Sequence, residues 1–153
     1  MTHGDNMLSL NIETELVIHA TARDIWNVLT DFDAYPTWNP FIQSITGNFK
    51  HGGRLNVQIH PTHGKAMTFK PTIMELEPEH SLVWLGRFLM PHLLDGEHRF
   101  TLYPLADGST RLVHSETFHG ILLPIMRKQL SLITTDFEKM NTALQARVKA
   151  LAE

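Results

Sequence analysis

The sequence predicts an α+β fold: a curved antiparallel sheet of six or seven strands wrapped around a long C-terminal helix, with a short helix after the first strand. Three observations predict it. Apolar and polar residues alternate through most of the chain, the period of strands with one buried face. The alternation yields to helical spacing twice, briefly after residue 20 and at length after residue 123. Turn residues (Gly52-Gly53, Pro61, Gly64, Pro78, Asp107-Gly108) separate the alternating runs at intervals too short for parallel crossovers.

Each element follows from its own residues. Leu8, Leu10, Ile12, Thr14, Leu16 and Ile18 share one parity and form the first strand. Thr21 is placed to cap a helix that carries Asp24 in its first turn and Ile25, Val28 and Leu29 at helical spacing; it ends near Thr30-Asp31, before Pro36 and Pro40. Leu55, Val57 and Ile59 mark a further strand, and Met67, Phe69, Pro71 and Ile73 share a parity in the next segment. Leu82, Trp84 and Phe88 lie on one side of the following run, His98, Phe100 and Leu102 on one side of the next, and Leu112, His114, Glu116 and Phe118 on one side of the last. Pro124 suits a first helical turn, after which Met126, Leu130, Ile133, Phe137, Met140, Leu144, Val148 and Leu151 step by four and three in one apolar stripe.

Length and composition narrow the function classes. A chain of 153 residues, 42% hydrophobic and 19% charged, fits one globular domain spanning 1–153. Its formal charge of −3 with scattered basic residues argues against nucleic acid as a partner. No cysteine is present, which excludes disulfides, thiolate metal sites and cysteine nucleophiles. Residues Met1 to Asn6 carry no basic, then apolar, leader pattern, and the longest apolar stretch, 120–126, is interrupted by Pro124 and too short to span a bilayer. The expectation is a cytoplasmic protein without integral membrane association. No GxGxxG, Walker A, GxSxG or HExxH pattern occurs, so no cofactor is expected. Of the ten histidines, His60 and His63 flank a Pro-Gly turn with no carboxylate near them in sequence, and His3, His19, His51 and His80 fall near segment ends; no metal site is expected.

The string IWNVLTDFDAYPTWNPF (25–41), set in this order of elements, resembles the helix-grip superfamily: START lipid-transfer domains, the birch pollen allergen and bacterial polyketide cyclase-like proteins (SRPBCC). The resemblance extends from Leu8 to Leu151. It implies a hydrophobic cavity, with the loop around Trp38 bordering its entrance, and no single activity, because binders, carriers and enzymes share the fold.

The candidate site residues are polar or aromatic positions on inward parities. The turn at 106–108 sets their register. A two-residue Asp107-Gly108 loop would set His98 and Phe100 beside Thr117 and Ser115, mixing the faces. A three-residue loop, Ala106-Asp107-Gly108, pairs Leu105 with Ser109 and sets Leu102 opposite Leu112, Phe100 opposite His114 and His98 opposite Glu116. The second keeps the apolar sets together. His98, His114 and Glu116 then form an inner polar cluster with three readings: it orients a ligand's polar group, it is a satisfied internal pair, or it works as an acid/base couple. No catalytic residue is assigned. Trp38, Phe69, Trp84, Phe88, Phe100, Phe118, Met126, Leu130 and Phe137 complete the expected ligand-binding set, each of which also reads as plain core.

The apolar segments 88–96 and 120–123 are too greasy for solvated connections and read as a cavity mouth or as a dimer contact, so the oligomer expected is a monomer or weak homodimer. The leading functional expectation is binding or transport of a small hydrophobic or aromatic molecule, such as a lipid, quinone or polyketide-like compound, in an internal cavity. One alternative is a cyclase- or dehydratase-type enzyme using His98, His114 and Glu116. Another is a protein-interaction module docking through the loop from Met90 to Leu94.

Overall fold

The computed structural model describes residues 7–88 and 90–153. His3, the leader reading of 1–6, and Leu89 within the 88–96 segment lie outside the described residues. The described chain runs β1 (Ser9–Ile18), α1 (Ala22–Thr30), a 3₁₀ turn (Phe32–Ala34), α2 (Tyr35–Trp38), β2 (Ile42–Gly47), β3 (Leu55–Ile59), β4 (Met67–Phe69), β5 (Thr72–Glu77), β6 (Ser81–Phe88), β7 (Leu94–Pro104), β8 (Thr110–His119), α3 (Leu123–Ser131) and α4 (Thr134–Ala152). All pairings are antiparallel. One sheet has the order β1-β8-β7-β6-β5 and a second the order β2-β3-β4.

The first strand pairs with the last strand and forms one edge of the five-stranded sheet, which sets residue 12 opposite Glu116. The Asp24 N–H donates to Thr21 Oγ1 at 3.1 Å, the cap that starts α1. Tyr35 is completely buried and its hydroxyl donates to the Leu29 carbonyl, tying the Pro-rich loop to α1; burial, then nearby Asp31, pushes the phenol far above its ordinary value and keeps that proton in place. The three-residue loop forms as expected: the Leu105 N–H donates to Ser109 O, Gly108 takes φ +87°, and the pairs Leu102–Leu112, Phe100–His114 and His98–Glu116 face one another.

Two elements differ from the sequence expectation. The run from Met67 to Ile73 is two strands on two sheets. Pro71 has no N–H to give a ladder, so β4 ends at Phe69; the Leu55 N–H donates to Pro71 O, and an Arg54–Thr72 bridge joins the sheets there. The wall therefore holds eight strands, five plus three, instead of six or seven in one sheet. The C-terminal stripe likewise spans two helices. The Ser131 hydroxyl donates to Arg127 O and the Thr134 hydroxyl to Ser131 O, while the Leu132 and Ile133 amides make tighter bonds to Gln129 O and Leu130 O. α4 lies in the grip of the sheet, packed on β1, β8 and α1, with Phe137, Met140, Leu144 and Val148 buried, whereas Leu151 is 60% exposed at the end of the stripe.

Candidate functional site

The inner faces of β6, β7 and β8 form the floor of a cavity of about 420 Å³. Eight of the expected ligand-binding residues line it: Phe69, Trp84, Phe88 and His98, together with Glu116, Phe118, Met126 and Leu130. Its roof is the half-buried face of α3, continued by Ile133 at the helix break. Side walls come from Phe41 and Ile42 after the Pro-rich loop, Ile59 and Met67 on the small sheet, and Leu94 and Leu122 from the two apolar segments.

Local hydrogen bonds hold these walls. Asn39 Oδ1 accepts from both the Phe41 and Ile42 amides at 2.9 Å, a turn that seats those side chains inward. The turn carrying Pro61, Gly64 and Lys65 is fastened by three side chains: Gln129 Nε2 donates to His63 O at 2.6 Å, buried Asp136 accepts from the Thr62 amide and hydroxyl, and Lys139 Nζ donates to Thr62 Oγ1. The turn 90–93 bonds back on itself and to the 120–123 segment, through the Ile121 amide to His92 O and the Leu122 amide to Leu93 O. Gly120 sits at φ +148°, and a Cβ there would lie 2.2 Å from Leu93 O. On the floor, Gly86 faces Gly96 across β6 and β7, so two adjacent positions carry no side chain.

The remaining four expected residues do not line the cavity. Trp38 packs edge-on against Tyr35 and borders a separate groove between α1 and the end of α4, on the other side of the Pro-rich loop. Phe100 and His114 share the inward parity and Phe137 the apolar helix stripe, but all three lie deeper, filled in behind the lining; His114 and Phe137 are wholly buried and stack on each other. Parity assigns a face of the sheet, and what stands in front of that face decides which residues reach open space. Phe41, Ile42, Leu94 and Leu122 were signalled by the WNPF string and the two apolar segments. Ile59 and Ile133 were signalled by their stripes, whereas Gly64, Lys65 and Gln129 carry no sequence signal for a site.

Behind the floor runs one hydrogen-bonded chain. Glu116 Oε2 lies 3.3 Å from His98 Nδ1, His98 Nε2 lies 2.7 Å from His114 Nε2, and His114 Nδ1 lies 2.8 Å from Asn141 Oδ1. Asn141 Nδ2 donates to Thr14 Oγ1, which donates to the His114 carbonyl at 2.9 Å. The direction of every proton follows from the far end. A carbonyl oxygen only accepts, so the Thr14 hydroxyl points at it and receives Asn141 N–H. Asn141 then turns its oxygen to His114, whose Nδ1 must carry a hydrogen. Burial, then nearby His98, holds the His114 imidazole well below its ordinary value, against an opposing bond to Asn141, so the ring is neutral and its Nε2 accepts. His98 Nε2 must therefore carry a hydrogen. One proton is left for His98 Nδ1 and Glu116 to share, either as imidazolium and carboxylate or as imidazole and carboxylic acid.

Glu116 and His98 thus present the only ionisable pair among the described lining residues that is buried on the sheet; Lys65 belongs to the exposed turn. The histidines are bonded to each other rather than poised for a metal, since tetrahedral zinc with Zn–N of about 2.0–2.1 Å holds its ligand nitrogens more than about 3 Å apart. Trp84 stacks on His98 with ring centroids 4.9 Å apart, and its indole N–H has no hydrogen-bond partner among the described residues.

A curved antiparallel wall gripping a C-terminal helix around an apolar cavity is the helix-grip fold. The chain belongs to the polyketide cyclase / dehydrase and lipid transport family, whose model matches residues 9–153. Among solved structures it is similar to the Zhui aromatase/cyclase from Streptomyces sp. R1128, with 15% identity, a TM-score of 0.77, and 95% and 96% of the two chains covered. It is also similar to a START superfamily protein from Mycobacterium smegmatis, with 23% identity, a TM-score of 0.73, and 92% and 98% covered. The di-domain aromatase/cyclase StfQ from the steffimycin biosynthetic pathway matches with 14% identity and a TM-score of 0.75; 95% of this chain is covered but only 52% of StfQ, so the chain spans about half its length. No curated protein sequence matches the chain. No helix among the described residues is long and apolar enough to cross a membrane.

Proposed function

We propose that the protein binds a small hydrophobic or aromatic molecule, such as a lipid, quinone or polyketide-like compound, in the cavity between α3 and the floor of β6, β7 and β8. The observation that carries this reading is the cavity: about 420 Å³, within the range of small-molecule sites, and walled by aromatic, methionine and aliphatic side chains around one ionisable pair. A cavity of about 150 Å³ holds a benzene molecule, so this one admits a guest of two or three rings or a folded acyl chain. Native mass spectrometry of freshly purified protein tests it, supported by melting curves against a panel of such compounds. A co-purifying apolar molecule, or a melting temperature that rises with ligand concentration, is the expected result. A panel-wide absence of any shift, with no bound mass, contradicts it.

A second reading, an acid/base enzyme, draws on the same pair, since His98 Nδ1 and Glu116 Oε2 lie 3.3 Å apart at the cavity wall. Turnover of a panel compound that disappears in Glu116→Ala favours catalysis; a ligand-dependent melting shift without turnover favours binding. Docking through 90–94 has less support: Leu94 is buried in β7 and Leu93 half-buried, leaving Met90 as the exposed large apolar side chain described there.

A further inference from the structure

We infer that the guest carries a hydrogen-bond donor, a hydroxyl or phenol, and that Glu116 Oε1 receives it. The inference rests on the cavity-binding function proposed above and names the chemistry of its polar end. Of the two carboxyl oxygens, Oε2 faces His98 and Oε1 has no donor among the described residues. The two allowed proton placements give Oε1 the same character. In the ion pair, Oε1 belongs to a carboxylate. In the neutral pair, the acid proton must sit on Oε2, because His98 Nδ1 then has a bare lone pair that only a donor can face; Oε1 is left as the carbonyl oxygen. Both states accept and neither donates. A ketone, quinone or ether oxygen brought to Oε1 would set lone pair against lone pair.

The floor is shaped for this oxygen. A Cβ on Gly96 would stand 2.7 Å from Oε1 and 3.2 Å from the Phe118 ring, so any larger residue would occupy the carboxyl's place. His98 cannot turn away to offer a donor of its own, since it is held by His114 at Nε2, by Glu116 at Nδ1 and by the Trp84 face. Glu116 Oε1 is thus a fixed acceptor on the floor, and at this oxygen guests of equal shape are sorted by whether they bring an O–H to it.

Equilibrium dialysis of the full chain against 2-naphthol, 2-methoxynaphthalene and naphthalene tests the inference. The methoxy compound is larger and more apolar, so burial alone favours it. The donor reading expects 2-naphthol to bind at least about tenfold more tightly than 2-methoxynaphthalene, the effect of a hydrogen bond to a charged or strongly polar partner. In Glu116→Met the ratio falls to about one. In Glu116→Gln a preference persists at reduced size, because the amide N–H serves His98 Nδ1 and its carbonyl keeps facing the guest. The wild-type ratio and the Gln variant decide the matter even if the Met variant does not fold. Binding of all three probes with equal affinity, or a preference for the ether, overturns the donor assignment and leaves the cavity-binding function standing. Failure of all three to bind removes that function and this inference together.

Discussion

The His114 imidazole lies flat on the Phe137 ring, with centroids 4.1 Å apart and planes 6° from parallel. This contact joins the centre of β8 to the first turn of α4, and Phe137 also touches Phe41 and His98, so one ring supports the helix, the Pro-rich loop and the polar chain. Phe137→Ala is expected to cost about 3–5 kcal/mol in urea unfolding, the range for deleting a buried aromatic side chain. A loss below about 1 kcal/mol would show that α4 is not held through this ring.

His114 also predicts a dependence on pH. Its folded value is depressed by burial and by His98, while the unfolded chain titrates near the ordinary 6.5. Below about pH 6.5 the unfolded state therefore takes up a proton that the folded state refuses, and stability falls as the pH falls. The slope contributed by this one group approaches about 1.4 kcal/mol per pH unit. Urea midpoints between pH 7 and pH 5 (about the window in which unfolded histidine titrates) should decline in the wild type and decline less steeply in His114→Gln. Parallel profiles would show that the proton is accommodated in the folded protein.

Asn39 predicts a local loss. Its side-chain oxygen is the shared acceptor of two buried amides, those of Phe41 and Ile42. Asn39→Ala leaves both unpaired, at about 1–3 kcal/mol for each orphaned group. Asn39→Asp keeps the acceptor and should retain most of the stability. Equal destabilisation by both substitutions would assign the effect to packing.

Leu130→Trp tests the cavity by filling it. Leu130 is a half-buried lining residue on α3, so an indole there projects into the space the guest would occupy. The expected outcome is a melting temperature within about 4–8 °C of wild type, the equivalent of about 1 kcal/mol, with the ligand-dependent rise abolished. An undiminished rise would place the guest elsewhere.

Much of this site can be read in the primary structure, and its limits have physical reasons. Gly108 demands a left-handed turn position, and that one residue fixes the opposition of His98 to Glu116 eighteen positions away. The cap at Thr21 is equally local. The division of 67–73 between two sheets was signalled by Pro71, but the parity of Phe69 and Ile73 continues across it and conceals the change of partner. The break between α3 and α4 is hidden for a related reason: Ser131 and Thr134 tighten one turn without moving Leu130, Ile133 or Phe137 off the apolar stripe. Depth is the property that periodicity lacks. His114 and Glu116 occupy equivalent places in the pattern, yet Phe137 covers the first and the cavity opens over the second.

The orientation of the cavity's polar group is set from a strand that lends no residue to the described lining. Thr14, on β1, orients its hydroxyl toward a main-chain oxygen, and each successive group inherits its orientation from that choice until it reaches the carboxyl at the far end. Replacing Thr14 with valine, almost the same size, removes the reference point and lets the Asn141 amide reverse. Under the proposed binding function, selectivity is therefore exposed to substitutions at a position outside the cavity lining.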